Sequence, residues 1–342
     1  MSHGRGDRVS RFVRAAIDGE VMASRSTSAG SSDAAPGTMV GRYLLRENLA
    51  TTPRYRLFTA RGLAGGREVE IKVMQPRHQL RCADRGESGN PYVREMRLAG
   101  EARSECIVRH LDAGTTARGE HYLVRDRTEG RTLRSLISDE GRFTLPDAAA
   151  VVADLAAAAK AVHEFGYAVR DLRPEILFVR RREGATGLAE GRLGDLGMAC
   201  ALGTRELTCA SDHLVTNPLY MAPEIAQGGP VSIASEIFAL GCILYEMLAG
   251  QAPLEESGAG DVQRLDALRT DMAIPPVPLR RHDPALPGDI DLLLAKCLAR
   301  DPAARPGAVD HVLRGLAHVL KEYARKQGEG SVPSELWPRL LA

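Results

Sequence analysis

The chain carries almost no net charge, no long uninterrupted apolar run and no organised cysteine pattern. Forty-five Lys and Arg against 44 Asp and Glu leave a formal charge of +1, so no overall field draws the chain toward nucleic acid or an anionic membrane surface, and any partner must be recognised at a local site. The longest apolar stretches, Ala148 to Ala159 and Phe238 to Gly250, are interrupted by Asp154 and Glu246 and fall short of the roughly 18 apolar residues that a membrane span requires. The opening residues Met1-Ser2-His3-Gly4-Arg5 contain no apolar signal-peptide core. Six cysteines (Cys82, Cys106, Cys200, Cys209, Cys242 and Cys297) include no C-x-x-C and no paired Cys/His spacing, which argues against a zinc site or a secreted disulfide framework. Together these absences predict a soluble, cytoplasmic chain with neither nucleic acid nor membrane as partner.

What is present changes texture along the chain. Residues 1–38 hold a run of small polar residues, Ser24 to Ser32, that cannot bury enough surface to offset ordering, and they read as a disordered tail. Within it Val9, Phe12, Val13, Ile17 and Val21 recur near helical spacing, compatible with a short docking helix or with a frayed segment. From Val40 short apolar runs (Tyr43 to Leu45, Tyr55 to Thr59, Val69 to Met74, Ile107 to Leu111, Tyr122 to Val124) alternate with Gly- and Arg-rich turns, predicting a small antiparallel sheet with one helix at Tyr92 to Arg103. Beyond Gly130 the pattern turns helical, with helices expected from Leu145 to Phe165, Ile233 to Leu248, Ile290 to Leu298 and Ala308 to Tyr323. The length of 342 residues suits one two-lobed domain.

Five charged motifs occur in a fixed order. Val69-Glu70-Ile71-Lys72 places a lysine on a strand, and Glu95 lies twelve residues before Ile107. Arg170-Asp171-Leu172-Arg173-Pro174-Glu175 follows, then Asp195-Leu196-Gly197, then Pro218-Leu219-Tyr220-Met221-Ala222-Pro223-Glu224, and finally Arg305 within Arg300-Asp301-Pro302-Ala303-Ala304-Arg305. No single motif is decisive, but their order and spacing resemble the protein-kinase signature, most closely that of bacterial Ser/Thr protein kinases, over about Val40 to Tyr323.

The resemblance implies an α+β, two-lobed fold: an N-lobe at 39–126 with an antiparallel sheet and one helix, a hinge at 126–130, a mainly helical C-lobe at 131–323, and a C-terminal extension at 324–342. It also implies roles. Phosphoryl transfer needs positioning and charge neutralisation more than covalent help, so Lys72 and Glu95 would serve ATP phosphates, Asp195 would hold magnesium, Asp171 would face the incoming hydroxyl, and Arg173, in the usual place of lysine, would sit beside the transferred group. Arg170 would be the arginine that can hold a phosphorylated activation loop, with Thr204, Thr208, Ser211 and Thr216 as candidate hydroxyls. Glu224 and Arg305 would form a structural pair. Glu236 stands where the family has the aspartate that ties down the catalytic loop, and its extra methylene is expected to loosen that tie.

The departures fall where a nucleotide would be cradled. Ala50, Thr52 and Tyr55 stand at the three glycine positions of the phosphate loop, where side chains obstruct backbone approach, and Pro53 removes an amide donor. Arg54 reads as an exposed loop arginine, the alternative being a side-chain contact to a phosphate. Ile176 stands where a metal-binding asparagine is expected, and a hydrocarbon cannot coordinate magnesium. In the adenine pocket, bounded by Asp126, Glu70 replaces an alanine and shares a strand face with Lys72, while Arg125 takes the gatekeeper position. A lone buried carboxylate is costly, so Glu70 and Arg125 are expected to form an ion pair across adjacent strands that fills the pocket. The alternative is that both reach outward around an open site.

The sequence therefore predicts a kinase-fold signalling protein, a pseudokinase or a very weak phosphotransferase, working through a protein partner. Its rival is an active Ser/Thr kinase using ATP and magnesium on a protein substrate. A kinase fold that binds nucleotide in another orientation is a third reading, and nothing selects it.

Overall fold

The computed structural model describes residues 34–52, 54–75, 91–102, 104–181, 189–205, 217–253 and 277–341. The expected tail helix, Pro53, Cys82, Cys209, Thr208, Ser211 and Thr216 lie outside them. The chain divides into two compact units, one running through Thr128 and including Asp195–Gly197, the other comprising Glu129–Gly194 and Met198–Ala342.

The first unit is built on strands β1 (Met39–Val40), β2 (Tyr43–Thr51), β3 (Tyr55–Gly62), β4 (Glu68–Met74), β5 (His110–Thr115) and β6 (His121–Asp126). All pair antiparallel in the order β1-β2-β3-β4-β6-β5. Alternation along the strands sends Leu45, Phe58, Val69, Ile71, Val73 and Val124 into one apolar cluster. Helix α1 (Pro91–Glu101) is set by Tyr92, whose buried hydroxyl meets the carbonyls of Gly114 (3.1 Å) and Tyr122 (2.8 Å), and by Met96, which packs with Leu123 and Met74. That packing aims Glu95 at the sheet. β5 begins three residues later than the apolar run at Ile107 suggests: Ile107 and Val108 are buried, but Ile107 makes only an isolated bridge ahead of the strand.

Two boundaries differ from the sequence reading. Residues 34–38, expected in the tail, belong to the sheet unit: Ala34 is buried, its carbonyl accepts from Arg56, and the Gly37 N–H donates to Leu45. The expected C-terminal extension at 324–342 begins inside a helix and ends in another that docks on the second unit, as described next.

The second unit opens with β7 (Arg131–Thr132), α2 (Leu133–Glu140) and α3 (Leu145–His163). Thr132 and Thr144 cap the two helices by accepting the N–H groups of Ser135 and Asp147. Helix α3 is alanine-rich and buried on nearly every side, as an all-round apolar helix must be. Then follow β8 (Tyr167–Ala168), β9 (Leu177–Arg181), β10 (Ala189–Leu193), β11 (Cys200–Ala201), α4 (Pro223–Ala226), α5 (Ile233–Ala249), α6 (Leu279–His282), α7 (Asp289–Cys297), α8 (Val309–Gln327) and α9 (Leu336–Leu341). Ser232 and Ser235 close a reciprocal capping box on α5, and Gly250 ends that helix in the left-handed region at φ 82°. Arg339 of α9 bonds Asp154 and the Ala150 carbonyl of α3, which fastens the C-terminal helix to the core of the unit. Among the described residues no helix is long and apolar enough to cross a membrane.

Arg305 and Glu224 meet as a fork, Nη1 to Oε1 at 2.7 Å and Nη2 to Oε2 at 2.8 Å, and Arg305 also donates to the carbonyls of Ala299, Ala234 and Arg300. The arginine side chain is fully enclosed, so Arg305→Met strands a carboxylate and three carbonyl acceptors. The expected loss of unfolding free energy is about 3–5 kcal/mol, read by urea denaturation. A loss under about 1 kcal/mol, the range of an exposed pair, would show that the fork does not hold the unit together.

Candidate functional site

The charged residues singled out in the sequence fall into two sets, one in each unit. In the first unit, the alternation of β4 turns Glu70 and Lys72 to the same side, and both are buried. The Lys72 ammonium lies 2.7 and 2.9 Å from the Glu95 carboxylate oxygens and 2.9 Å from Asp195 Oδ1. Asp195 Oδ1 also accepts the Gly197 N–H at 2.7 Å. Gly197 leaves room for the cluster: a Cβ there would come within 3.0 to 3.2 Å of Asp195 Oδ1, Glu95 Oε2 and Lys72 Nζ, so the trio would have to give by a few tenths of an ångström.

Exposure of 3% for Lys72, 1% for Glu95 and 7% for Asp195 puts all three out of water. Burial alone would push the Lys72 ammonium down, but Asp195 and Glu95 outweigh it and its pKa ends above the ordinary lysine value. Burial likewise pushes the Asp195 carboxyl up, and Lys72, then Arg54, then the Gly197 N–H overcome it and hold it well below the usual range. Glu95 is also held low, burial being outweighed by Lys72 with help from His110, whose Nε2 stands 3.8 Å away. Arg54 is thus half-buried and acts on Asp195 electrostatically, which corrects its reading as an exposed loop arginine.

The three glycine positions have been put to other use. Ala50 stays in β2, paired with Leu57. Thr52 closes the turn on itself: its hydroxyl accepts the N–H groups of Arg54 (3.2 Å) and Tyr55 (3.0 Å) and donates to the Tyr55 carbonyl, and its own N–H donates to that same carbonyl. Those amides, the donors a phosphate loop would offer, are consumed within the turn. Tyr55 opens β3 and lays its ring 4.3 Å from the Lys72 ammonium, a cation–π contact.

Glu70 and Arg125 pair across β4 and β6, where they stand opposite each other in register. Arg125 Nε and Nη2 lie 2.8 and 2.7 Å from Glu70 Oε2, and the two residues are only 4% and 5% exposed. The outward-reaching alternative is therefore not what the chain adopts. Thr128, which the sequence reading passed over inside the expected hinge, completes the arrangement: its N–H donates to Glu70 Oε1 at 2.9 Å and its hydroxyl to Oε2 at 3.0 Å. Both oxygens of the buried carboxylate are thereby engaged. Asp126, at the end of β6, is bound instead to Arg67.

In the second unit, Asp171 is buried and Arg173 Nε donates to its Oδ2 at 3.0 Å. The guanidinium that takes the place of lysine is thus turned onto the aspartate. Arg170 has φ 69°, a left-handed conformation that costs a non-glycine residue on the order of 1 kcal/mol or more. It is held there by Glu236, whose Oε1 accepts the Arg170 N–H at 2.7 Å while Oε2 lies 2.5 Å from His163 Nε2. The expectation that glutamate loosens this tie is incorrect, because the longer side chain reaches both partners. Ile176 is buried in the short helix Pro174–Ile176. A further group escaped the sequence reading: Arg134 of α2 meets Glu175, Glu246 and Tyr220 together. Glu246 was visible as a charge in an apolar helix, but its partners lie more than a hundred residues upstream or in a separate loop.

The residues divide in their fitness for ATP and magnesium. Asp195 Oδ2 is buried and has no hydrogen-bond partner among the described residues, which suits an oxygen ligand for a divalent cation. No cluster of three metal-ligating side chains occurs among those residues, and Ile176 offers no second ligand. A bound purine is oriented by convergent polar groups, and at the positions the resemblance would assign to the base, Glu70 has taken the Thr128 amide and the Arg125 guanidinium, which does not fit a base there.

Comparison with known proteins agrees with this architecture. The protein kinase domain family model matches residues 57–315, and the chain belongs to that family. It is 30% identical over 277 residues to the Ser/Thr-protein kinase PknB of Mycobacterium tuberculosis, covering 79% of this chain and 41% of that protein. Over 185 residues it is 37% identical to the Ser/Thr-protein kinase PkaB of Streptomyces coelicolor, covering 54% and 42%. The chain spans less than half the length of these curated relatives. Among solved structures, the kinase domain of M. tuberculosis PknI superposes with a TM-score of 0.62 at 20% identity, covering 86% of this chain and all of that one, a likeness of fold.

The buried trio carries its own pH signature. Asp195 and Glu95, held low, contribute stability that is present above their unfolded pKa values of about 4 and is lost as pH falls below them. Lys72, held high, contributes stability that is full below about pH 10 and lost only as pH rises through its folded value. Lys72→Met removes the main cation between two buried carboxylates. Unfolding free energy at neutral pH is expected to fall by about 3–5 kcal/mol, and part of that loss should be regained near pH 5, where the stranded carboxyls can take up protons. Urea titrations at both pH values test this. A variant whose deficit grows on acidification would contradict it.

Proposed function

We propose that the chain is a kinase-fold signalling protein that works in the cytoplasm through contact with a protein partner and has at most weak phosphotransfer activity. The observation that carries this reading is the Glu70 carboxylate, buried and bound by Arg125 and by Thr128 N–H and hydroxyl. On this reading these residues occupy the position an adenine would take. To bind there, a purine would have to break a buried ion pair and leave a carboxylate without water, at a cost of about 3–5 kcal/mol, before making any contact of its own. The self-closed Thr52 turn and the Tyr55 ring on Lys72 support the same reading from the phosphate side.

A second reading, an active Ser/Thr protein kinase, is favoured by one specific observation: Lys72, Glu95 and Asp195 are assembled at bonding distance, and one buried Asp195 oxygen has no hydrogen-bond partner among the described residues. On that reading Asp171 faces the substrate hydroxyl, Arg173 stands beside the transferred phosphoryl, and the relatives named as Ser/Thr kinases supply the precedent.

Thermal-shift titration with ATP and magnesium or manganese separates the two. The wild type is expected to show no shift, and the double variant Glu70→Ala/Arg125→Met, which clears the pair without stranding either charge, is expected to gain a rise of several degrees. Phosphotransfer from radiolabelled ATP is read in parallel, with Asp171→Asn as control. A wild-type shift accompanied by label transfer that the control abolishes would replace the first reading with the second.

A further inference from the structure

Arg134 does not belong to any motif that marks the family, yet its guanidinium bonds two carboxylates and a tyrosine hydroxyl of the second unit. Its Nε donates to Glu175 Oε1 at 3.1 Å, its Nη1 to Glu246 Oε1 at 2.5 Å, and its Nη2 meets the Tyr220 hydroxyl, which itself donates to Glu246 Oε2 at 2.5 Å. The three partners come from three separate stretches. Glu175 lies in the short helix just after Asp171, Glu246 is on α5, and Tyr220 ends the short helix Pro218–Tyr220 that leads into Ala222-Pro223-Glu224. Glu246 and Tyr220 are buried, whereas the Arg134 side chain keeps 31% exposure.

The electrostatics are those of a clamp. Burial and then Glu246 push the Tyr220 hydroxyl far above the ordinary tyrosine value. Burial would lower the Arg134 pKa, but Tyr220, Glu246 and Glu175 raise it instead. Without the guanidinium, two carboxylates and a phenol oxygen would converge on one point with no cation between them. The chain of contacts also runs back to the catalytic aspartate, since Arg173 binds Asp171 and stands 3.9 Å from Glu175 Oε2.

We infer that Arg134 is a positioning residue: it fixes the segment Asn217–Met221, the approach to Ala222-Pro223-Glu224, against the loop that carries Asp171. The inference rests on the proposed reading that a protein, as partner or substrate, meets the chain on this helical unit, because that surface is what the clamp holds in place. It also makes the placement of Asn217–Met221 independent of nucleotide, since every group in the clamp is the chain's own. A planar fork is needed, since three acceptors in different directions are served by three different nitrogens, which a lysine ammonium on a flexible stem does not reproduce.

Hydrogen–deuterium exchange on the full chain, read by mass spectrometry without nucleotide, tests this directly. Arg134→Ala is expected to speed exchange in 217–226 and 171–177 by roughly tenfold or more, the loss expected for charge-assisted hydrogen bonds, while α3 and α8 keep their wild-type rates. Low-millimolar methylguanidinium should restore slow exchange in both segments, and methylammonium should not. Arg134→Lys is expected to fall between wild type and Ala, and it serves as the readable variant should Ala not fold. Unchanged exchange in both segments, a uniform rise that includes α3 and α8, or equal rescue by the two cations would overturn the assignment. Because no step of this measurement requires ATP binding or transfer, its outcome is separate from that of the nucleotide titration.

Discussion

A lysine ammonium buried between two carboxylates is the constraint around which the sheet unit is organised. Lys72 is 3% exposed, and an ammonium so enclosed stays charged only because Glu95 and Asp195 both contact it. The demand propagates outward. Helix α1 must present Glu95, so Tyr92 anchors it to the carbonyls of β5 and β6. The residue two beyond Asp195 is glycine, where a Cβ would crowd the cluster. Tyr55 and Arg54 close over the same group, one through its ring and the other through its charge. Each of these features would be arbitrary by itself and follows once the buried charge is fixed.

The Glu70 cluster applies the same rule to a different end. There too a carboxylate is removed from water and satisfied, here by Arg125 and Thr128. The two clusters sit on one strand, two residues apart, and treat the inherited framework in opposite ways: Lys72 keeps the partners of its family, and Glu70 recruits new ones. That contrast is the basis of the proposed reading, in which the charged cluster around Lys72 persists beside a Glu70 carboxylate already engaged by Arg125 and Thr128.

The second unit shows that catalytic-loop geometry is held by contacts remote in sequence. Glu236 stabilises the left-handed Arg170 from α5, and Arg134 gathers Glu175, Glu246 and Tyr220 from three stretches. Glu224 and Arg305 do the same for the segment that follows. The sequence reading found the last of these through a spaced motif and misjudged the first, because the effect of one methylene depends on where the backbone stands. Arg134 carried no signal at all, being one arginine among many on a helix.

Sequence alone was sufficient for the strand alternation that turns Glu70 and Lys72 the same way, for the helix bearing Glu95, for the order of the charged motifs and for the loss of glycine at Ala50, Thr52 and Tyr55. These are local or ordinal properties, set by side-chain period and spacing. Only the tertiary structure decided that Thr52 consumes the turn's amides, that Thr128 completes the Glu70 cluster, that residues 34–38 join the sheet and that the C-terminal helix docks on α3. The reason is common to all four. Satisfying a buried polar group is a question of which distant donor or acceptor arrives at about 3 Å, and that is settled by packing rather than by the identity of neighbours along the chain.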